Sequence, residues 1–171
     1  MNDVIIEFIS NMEKIQKQIH SENLTQKNPS LAMAQWIQNI PLLYYPIGLK
    51  ASAIRFKNSL QENSKRHVFA EDIIEACHNS IVPWEKQSVI QPIIIRGTDD
   101  HPKTIERWNI IMEYDKNNID YKEINSINGS ILLKIMCLIY QLDFSSIYLA
   151  ILNKIDPTPV KPISYIKKKL K

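Results

Sequence analysis

Short apolar runs alternate along this chain with longer segments of helical period, and few folds accept that alternation. The runs are "LLYYP" after Pro41, "VFAEDII", "VIQPIIIRG" and "IDYKEIN", which read as strands bounded by proline, glycine or polar residues. Residues 4–20 instead place Ile5, Phe8, Met12, Ile15 and Ile19 at steps of three and four, the stripe of an amphipathic helix. Pro29 marks the first turn of a second helix through Trp36 and Ile37. A third, from Leu49 to Glu62, buries Leu49, Ala53, Phe56 and Leu60, and Pro102 enters a fourth, "HPKTIERWNIIMEYD". Another helix is expected to open at Asn79 or Ser80. Strands separated by helices of about 10–15 residues predict an α/β fold, a doubly wound and mainly parallel sheet flanked by helices. Ligands of such sheets sit outside the carboxyl ends of the strands, so the loops after the first three runs are expected to matter most.

The 171 residues fit one domain, and 44% hydrophobic against 23% charged residues is enough to bury a core. The formal net charge of +3 owes much to the final "KKKLK", so nucleic acid is not an expected partner. Cys77 and Cys137 stand far apart, with no CxxC pair and no secretory leader, and read as free thiols of a reducing cytoplasm. Lys134, Gln141, Asp143 and the pair Ser145 and Ser146 divide the apolar stretch "SILLKIMCLIYQLDFSSIYLAIL" into two buried helices rather than a membrane span. With only Gly48, Gly97 and Gly129, neither GxGxxG nor a Walker loop is present, and no cofactor is expected. His67 and His101 lack acidic or cysteine partners at ligand spacing, so no metal site is expected either.

The third helix raises a question of charge. Arg55, Asn58, Ser59 and Glu62 share its polar face, and Glu62 lies in the last turn, where the partial negative charge of the helix end disfavours a carboxylate. Either Lys65 and Arg66 compensate it, or the carboxylate has a task.

Five stretches, "NPSLAMAQWI", "RFKNSLQENSK", "EACHNSIVPW", "HPKTIERW" and "DPTPVKPISYIKKKL", resemble in order and spacing the C-terminal half of archaeal-type bifunctional phosphoglucose/phosphomannose isomerases, of the sugar isomerase (SIS) class. The resemblance runs from about Asn28 onward, leaving residues 1–27 as an amphipathic helix and linker and 28–171 as the SIS-type domain. It implies metal-free interconversion of glucose 6-phosphate or mannose 6-phosphate with fructose 6-phosphate through an enediol. It also implies two tandem SIS domains, of which the N-terminal one, carrying the Gly- and Ser-rich phosphate loop, is expected to be missing from this chain.

The same resemblance implies roles for particular residues. Glu62 matches the glutamate of the family's "NEN", here "QEN" with Gln61 in the first place, and would move a proton between C1 and C2. A helix C-terminus and desolvation by a bound sugar both suit a carboxyl to that task. The alternative is a solvated helix end held by Lys65 or Arg66. His78, in "CHN" where the family has an "NHN"-like segment, would serve ring opening, donated across a dimer, or else is a surface histidine. Lys167 lies beside the side of the last helix marked by Ile163, Ile166 and Leu170, and would steady charge on the enediolate, or else belongs to a basic tail. Thr158 would hydrogen-bond near C2 or simply form a turn, and Arg55 would bind substrate or Glu62, or make a surface salt bridge. Asp99 and Asp100 are expected to cap the helix beginning near Pro102. The expected partners are a hexose 6-phosphate and either a second copy of the chain or a separate N-terminal SIS domain. A different class of function, a non-catalytic phosphosugar- or partner-binding module, stays open on these residues.

Overall fold

Strands β1 (Ile40–Tyr45), β2 (Phe69–Asp72), β3 (Ile90–Arg96) and β4 (Lys122–Asn125) form one sheet in the order β2-β1-β3-β4, every neighbouring pair parallel. The helices are α1 (Asn2–Ile19), α2 (Pro29–Trp36), α3 (Lys50–Asn63), α4 (Ile73–Ala76), α5 (Pro102–Tyr114), α6 (Ile131–Leu152) and α7 (Lys161–Lys169). This is a computed structural model, and it describes residues 2–114 and 119–170. Alternation along the strands sends side chains to both faces. Leu43, Tyr45, Ile93 and Ile95 join the layer of α2, α3 and α6, whereas Tyr44 and Ile94 pack with Ile73, Trp84 and Trp108 on the face of α4 and α5. A sheet buried on both faces needs near-continuous apolar strands, which is why "QPIIIR" reads so strongly in the sequence. The doubly wound α/β expectation holds.

Three expectations need correction. The helix expected at Asn79 or Ser80 is only a short 3-10 turn, Val82–Glu85. Pro83 disfavours helical backbone in the residue before it, and Trp84 is drawn into the core, where its indole N–H donates to Tyr44 Oη at 3.0 Å.

The two helices expected in the long apolar stretch are one, α6, of 22 residues. By length and composition α6 is long and apolar enough to cross a bilayer, but here it is a core helix. Its polar groups do not break it: Ser145 Oγ donates to the Gln141 carbonyl within the helix at 3.2 Å, and others are tied to neighbouring elements. Lys134 pairs with Asp99, Gln141 accepts at its backbone carbonyl from Ser30 Oγ (2.6 Å), and Ser146 Oγ accepts from Asn63 Nδ2 (2.8 Å).

The third correction concerns α5. His101, not an aspartate, accepts from the Lys103 N–H at its start, at 3.2 Å. Asp100 is turned back to accept from the Gly97 N–H at 2.9 Å, and a side chain at position 97 would collide with its carboxylate.

The N-terminal helix finds part of its partner surface within the chain. Ile15 and Ile19 are buried against Leu133 and Cys137 of α6, while Ile5, Ile6 and Ile9 stay exposed. Entry into α2 rests on Asn28, which is fully buried and accepts at Oδ1 from the N–H groups of Ser30 and Leu31, both at 3.0 Å. Its amide nitrogen also donates to the Asn23 carbonyl and to Tyr148 Oη. Asn28→Ala is therefore expected to cost about 1–2 kcal/mol in urea denaturation, the upper range for a lost N-cap, because it leaves two N–H groups without their cap.

Candidate active site

Parallel topology decides where Glu62 lies. Helix α3 leaves the carboxyl end of β1 and returns the chain to the amino end of β2, so its last turn sits at the amino edge of the sheet. The carboxyl-edge loops expected to hold the ligand are instead tied to one another: Thr98 N–H donates to Ser126 Oγ at 3.2 Å, and Asp99 meets the buried Lys134. That ammonium holds the Asp99 carboxyl below the usual carboxylate range.

The polar face of α3 divides. Arg55 Nη2 donates to Asp143 Oδ2 at 2.8 Å and its Nε lies 3.1 Å from Oδ1, while Ser59 Oγ reaches the same carboxylate at 2.5 Å. These two residues fasten α3 to α6, and Arg55 is engaged there rather than by Glu62. Asn58, Gln61 and Glu62 point the other way, into an open cleft of about 700 Å³. Its far wall is the connection from α6 to α7, with Ile155, Asp156, Pro159 and Val160, followed by Ile163 of α7.

Compensation of the helix end does occur, but through the backbone. Lys65 Nζ donates to the Glu62 main-chain carbonyl at 2.5 Å, whereas the Arg66 guanidinium is directed away from the α3 end, Nη1 donating to the Gln38 carbonyl at 3.0 Å. Among the described residues no hydrogen bond or ion pair is made to the Glu62 carboxylate itself, and the side chain is exposed to the cleft. The two remaining donors of Lys65 go to the carbonyls of Pro157 (3.2 Å) and Pro159 (2.8 Å), across the cleft mouth. Both chain reversals beside the cleft, Lys65 (φ 54°) and Lys154 (φ 56°), are left-handed without being glycine.

Thr158 stands between those two carbonyls. It lies in an Asx turn, with its N–H donating to Asp156 Oδ1 at 2.9 Å, and this bond holds the Asp156 carboxyl below its ordinary range. The turn expected as the plainer description is thus present; the cleft wall is formed by its neighbours Asp156 and Pro159, and Thr158 does not line it. Lys167 is on α7 one turn beyond Ile163, fully exposed, and does not line the cleft. The expected packed side of that helix is open as well, with Ile166 56% and Leu170 82% exposed, because no other element of the described chain lies over it.

His78 is not brought to Glu62. It sits exposed in the turn after α4, on the opposite face of the sheet from α3. Within one chain the arrangement thus gathers an unpaired carboxylate and a threonine turn, and leaves the imidazole elsewhere. Sequence reading missed the part played by Lys65 and by Asp143, because their partners lie 92 and 88 residues away along the chain. The only signal was indirect. In "DPTPVKP" three prolines remove the N–H groups that would otherwise fasten an extended segment, so something outside it has to do so.

Comparison with known proteins bears on the family and the fold. A family model described as "Bacterial phospho-glucose isomerase C-terminal SIS domain" matches residues 26–170. A bifunctional phosphoglucose/phosphomannose isomerase of Caldicellulosiruptor bescii is 31% identical over 178 aligned positions, covering 99% of this chain and 52% of that protein. Its counterpart in Aquifex aeolicus is 27% identical over 154 positions, covering 88% and 48%. The chain thus spans about half the length of the curated relatives it matches. Among solved structures, a glucose-6-phosphate isomerase like protein from Thermus thermophilus superposes with a TM-score of 0.76 at 17% identity, over 97% of this chain and 56% of the other. The tagatose-6-phosphate ketose/aldose isomerase of Escherichia coli shares the fold at a TM-score of 0.58 and 9% identity, over 84% and 44%.

Proposed function

Because the chain belongs to the family of bacterial phospho-glucose isomerase C-terminal SIS domains, we propose that it supplies the proton-transfer half of a hexose 6-phosphate isomerase. The observation that carries this reading is Glu62, a carboxylate without an ion pair among the described residues, open to a cleft at the end of α3. In the forward direction Glu62 takes the proton from C2 of the open-chain aldose. The resulting enediol gains a proton at O1 and loses one from O2, and Glu62 returns its proton to C1 to leave the ketose. Thr158, in the turn between the cleft-lining Asp156 and Pro159, hydrogen-bonds near C2, where glucose and mannose differ. Arg55 acts from behind by securing α3 through Asp143, and Lys167, which lies outside the cleft of the single chain, serves the enediolate oxygens only in the assembled enzyme. Ring opening falls to His78.

Since one chain keeps His78 and Glu62 on opposite faces, the site is completed by a second copy, with the phosphate held by an N-terminal SIS half. Exposed apolar residues on α1 (Ile5, Ile6, Ile9) and α7 (Ile163, Ile166, Leu170) support such association. The assembly works in the cytoplasm, in glycolysis and gluconeogenesis. The remoteness of His78 also favours one other reading, a phosphosugar- or partner-binding module without catalysis.

Mixing separates the two. Glu62→Gln and His78→Asn proteins, each supplied with an N-terminal SIS half, are expected to be nearly inactive on fructose 6-phosphate alone. Mixed, they should recover about a quarter of parental turnover, since half of randomly formed dimers are mixed and each holds one intact site. Sugar binding by the parent assembly with no turnover would select the binding module.

A further inference from the structure

The passage Asp156–Pro162 carries one wall of the cleft, yet it has little with which to hold its own shape. Pro157, Pro159 and Pro162 lack N–H groups, and the passage pairs with no strand of the sheet. Lys65 supplies what is missing. An ammonium has three donors, and here all three are directed at main-chain carbonyls: Glu62 at the end of α3, and Pro157 and Pro159 on either side of Thr158. The side chain thereby ties the Glu62 carbonyl to the two carbonyls that flank Thr158. To do so Lys65 adopts φ 54°, a conformation that costs an ordinary L-residue free energy and that glycine takes without strain. A chain reversal alone would be better served by glycine, whereas a lysine here also brings an ammonium to three carbonyls.

We propose that Lys65 is a positioning residue for the isomerisation, fixing the proline wall and Thr158 at a set distance from Glu62. The inference rests on the reading of Glu62 as the base. Thr158 meets the substrate only while the wall is clamped, so releasing it lowers the rate of the step at C2 more than it weakens binding of a phosphate held elsewhere.

Three variants test this: Lys65→Met, Lys65→Arg and Lys65→Gly. In Lys65→Met, hydrogen exchange of peptides covering residues 154–163 is expected to speed up at least tenfold with peptides of α3 unchanged. In the assembly with an N-terminal SIS half, kcat on fructose 6-phosphate should fall about tenfold with KM within about twofold. Lys65→Arg should restore part of both. Lys65→Gly relieves the backbone, so it should melt no lower than the parent and still show the fast exchange and low kcat, which a merely structural role would not produce. Unchanged exchange over residues 154–163 in Lys65→Met and Lys65→Gly overturns the clamp. Fast exchange with parental kcat overturns its part in the reaction. Failure of the Glu62 reading itself looks different: Glu62→Gln would keep parental turnover while Lys65→Met still showed fast exchange, and the positioning role would fall with it.

Discussion

Glu62→Gln, in an assembly that isomerises fructose 6-phosphate, is expected to lower kcat by about 10²–10⁴-fold, the usual contribution of a general base. Stability should change by less than about 0.5 kcal/mol, as for an exposed residue without a structural partner. The two halves of this expectation have one physical origin. The carboxylate accepts no hydrogen bond or ion pair among the described residues, so exchanging it for an amide of the same shape leaves nothing buried and unpaired. The helix end keeps its compensation too, because Lys65 reaches the carbonyl of residue 62 and not its side chain. An amide fills the same space but cannot take up a proton. Parallel measurement of thermal melting and of glucose 6-phosphate and mannose 6-phosphate formation decides the matter. Parental turnover in a folded variant would remove Glu62 from the chemistry.

Phe56→Ala is expected to give the largest loss of stability, about 3–5 kcal/mol, the range for truncating a buried phenylalanine. Phe56 is completely buried, in the layer where α3 meets the sheet and α6, and its neighbours there include Leu43, Leu138 and Leu142. Truncation both exposes the lost apolar contact and leaves a cavity that close-packed helices refill only in part. Against a total of about 5–15 kcal/mol for an ordinary domain, such a loss brings the chain near its unfolding threshold. Urea titration read by tryptophan fluorescence measures it, with Trp84 and Trp108 as buried reporters. A cost below about 1 kcal/mol would mean that the α3 layer is far more yielding than its burial indicates. Activity should fall in this variant along with stability, whereas Glu62→Gln separates the two.

Much of the fold was legible because it depends on local pattern. The strands showed as apolar runs, α3 as a stripe through Ala53, Phe56 and Leu60, and α2 through Pro29 as a first-turn residue, while the cap by Asn28 emerged only in the structure. The reading of α6 as two helices failed for a reason that is not local. Lys134, Asp143 and Ser146 look like interruptions until Asp99, Arg55 and Asn63 are set beside them. The same holds for Arg55, which its helical phase aligned with Glu62 and which the packing of α6 claimed for Asp143.

The residues themselves were enough to determine a parallel α/β domain with Glu62 on the polar face of one helix, while the sugar isomerase class was legible only through the resemblance of five stretches to that family. Period and capping act over a few residues, and both are written in neighbouring positions. Tertiary packing alone decided that the cleft lies at the amino edge of the sheet, that Lys65 spans it, and that His78 is on the other face. Those outcomes depend on contacts between segments many tens of residues apart. Such contacts become predictable only once the crossover helices have set which segments meet.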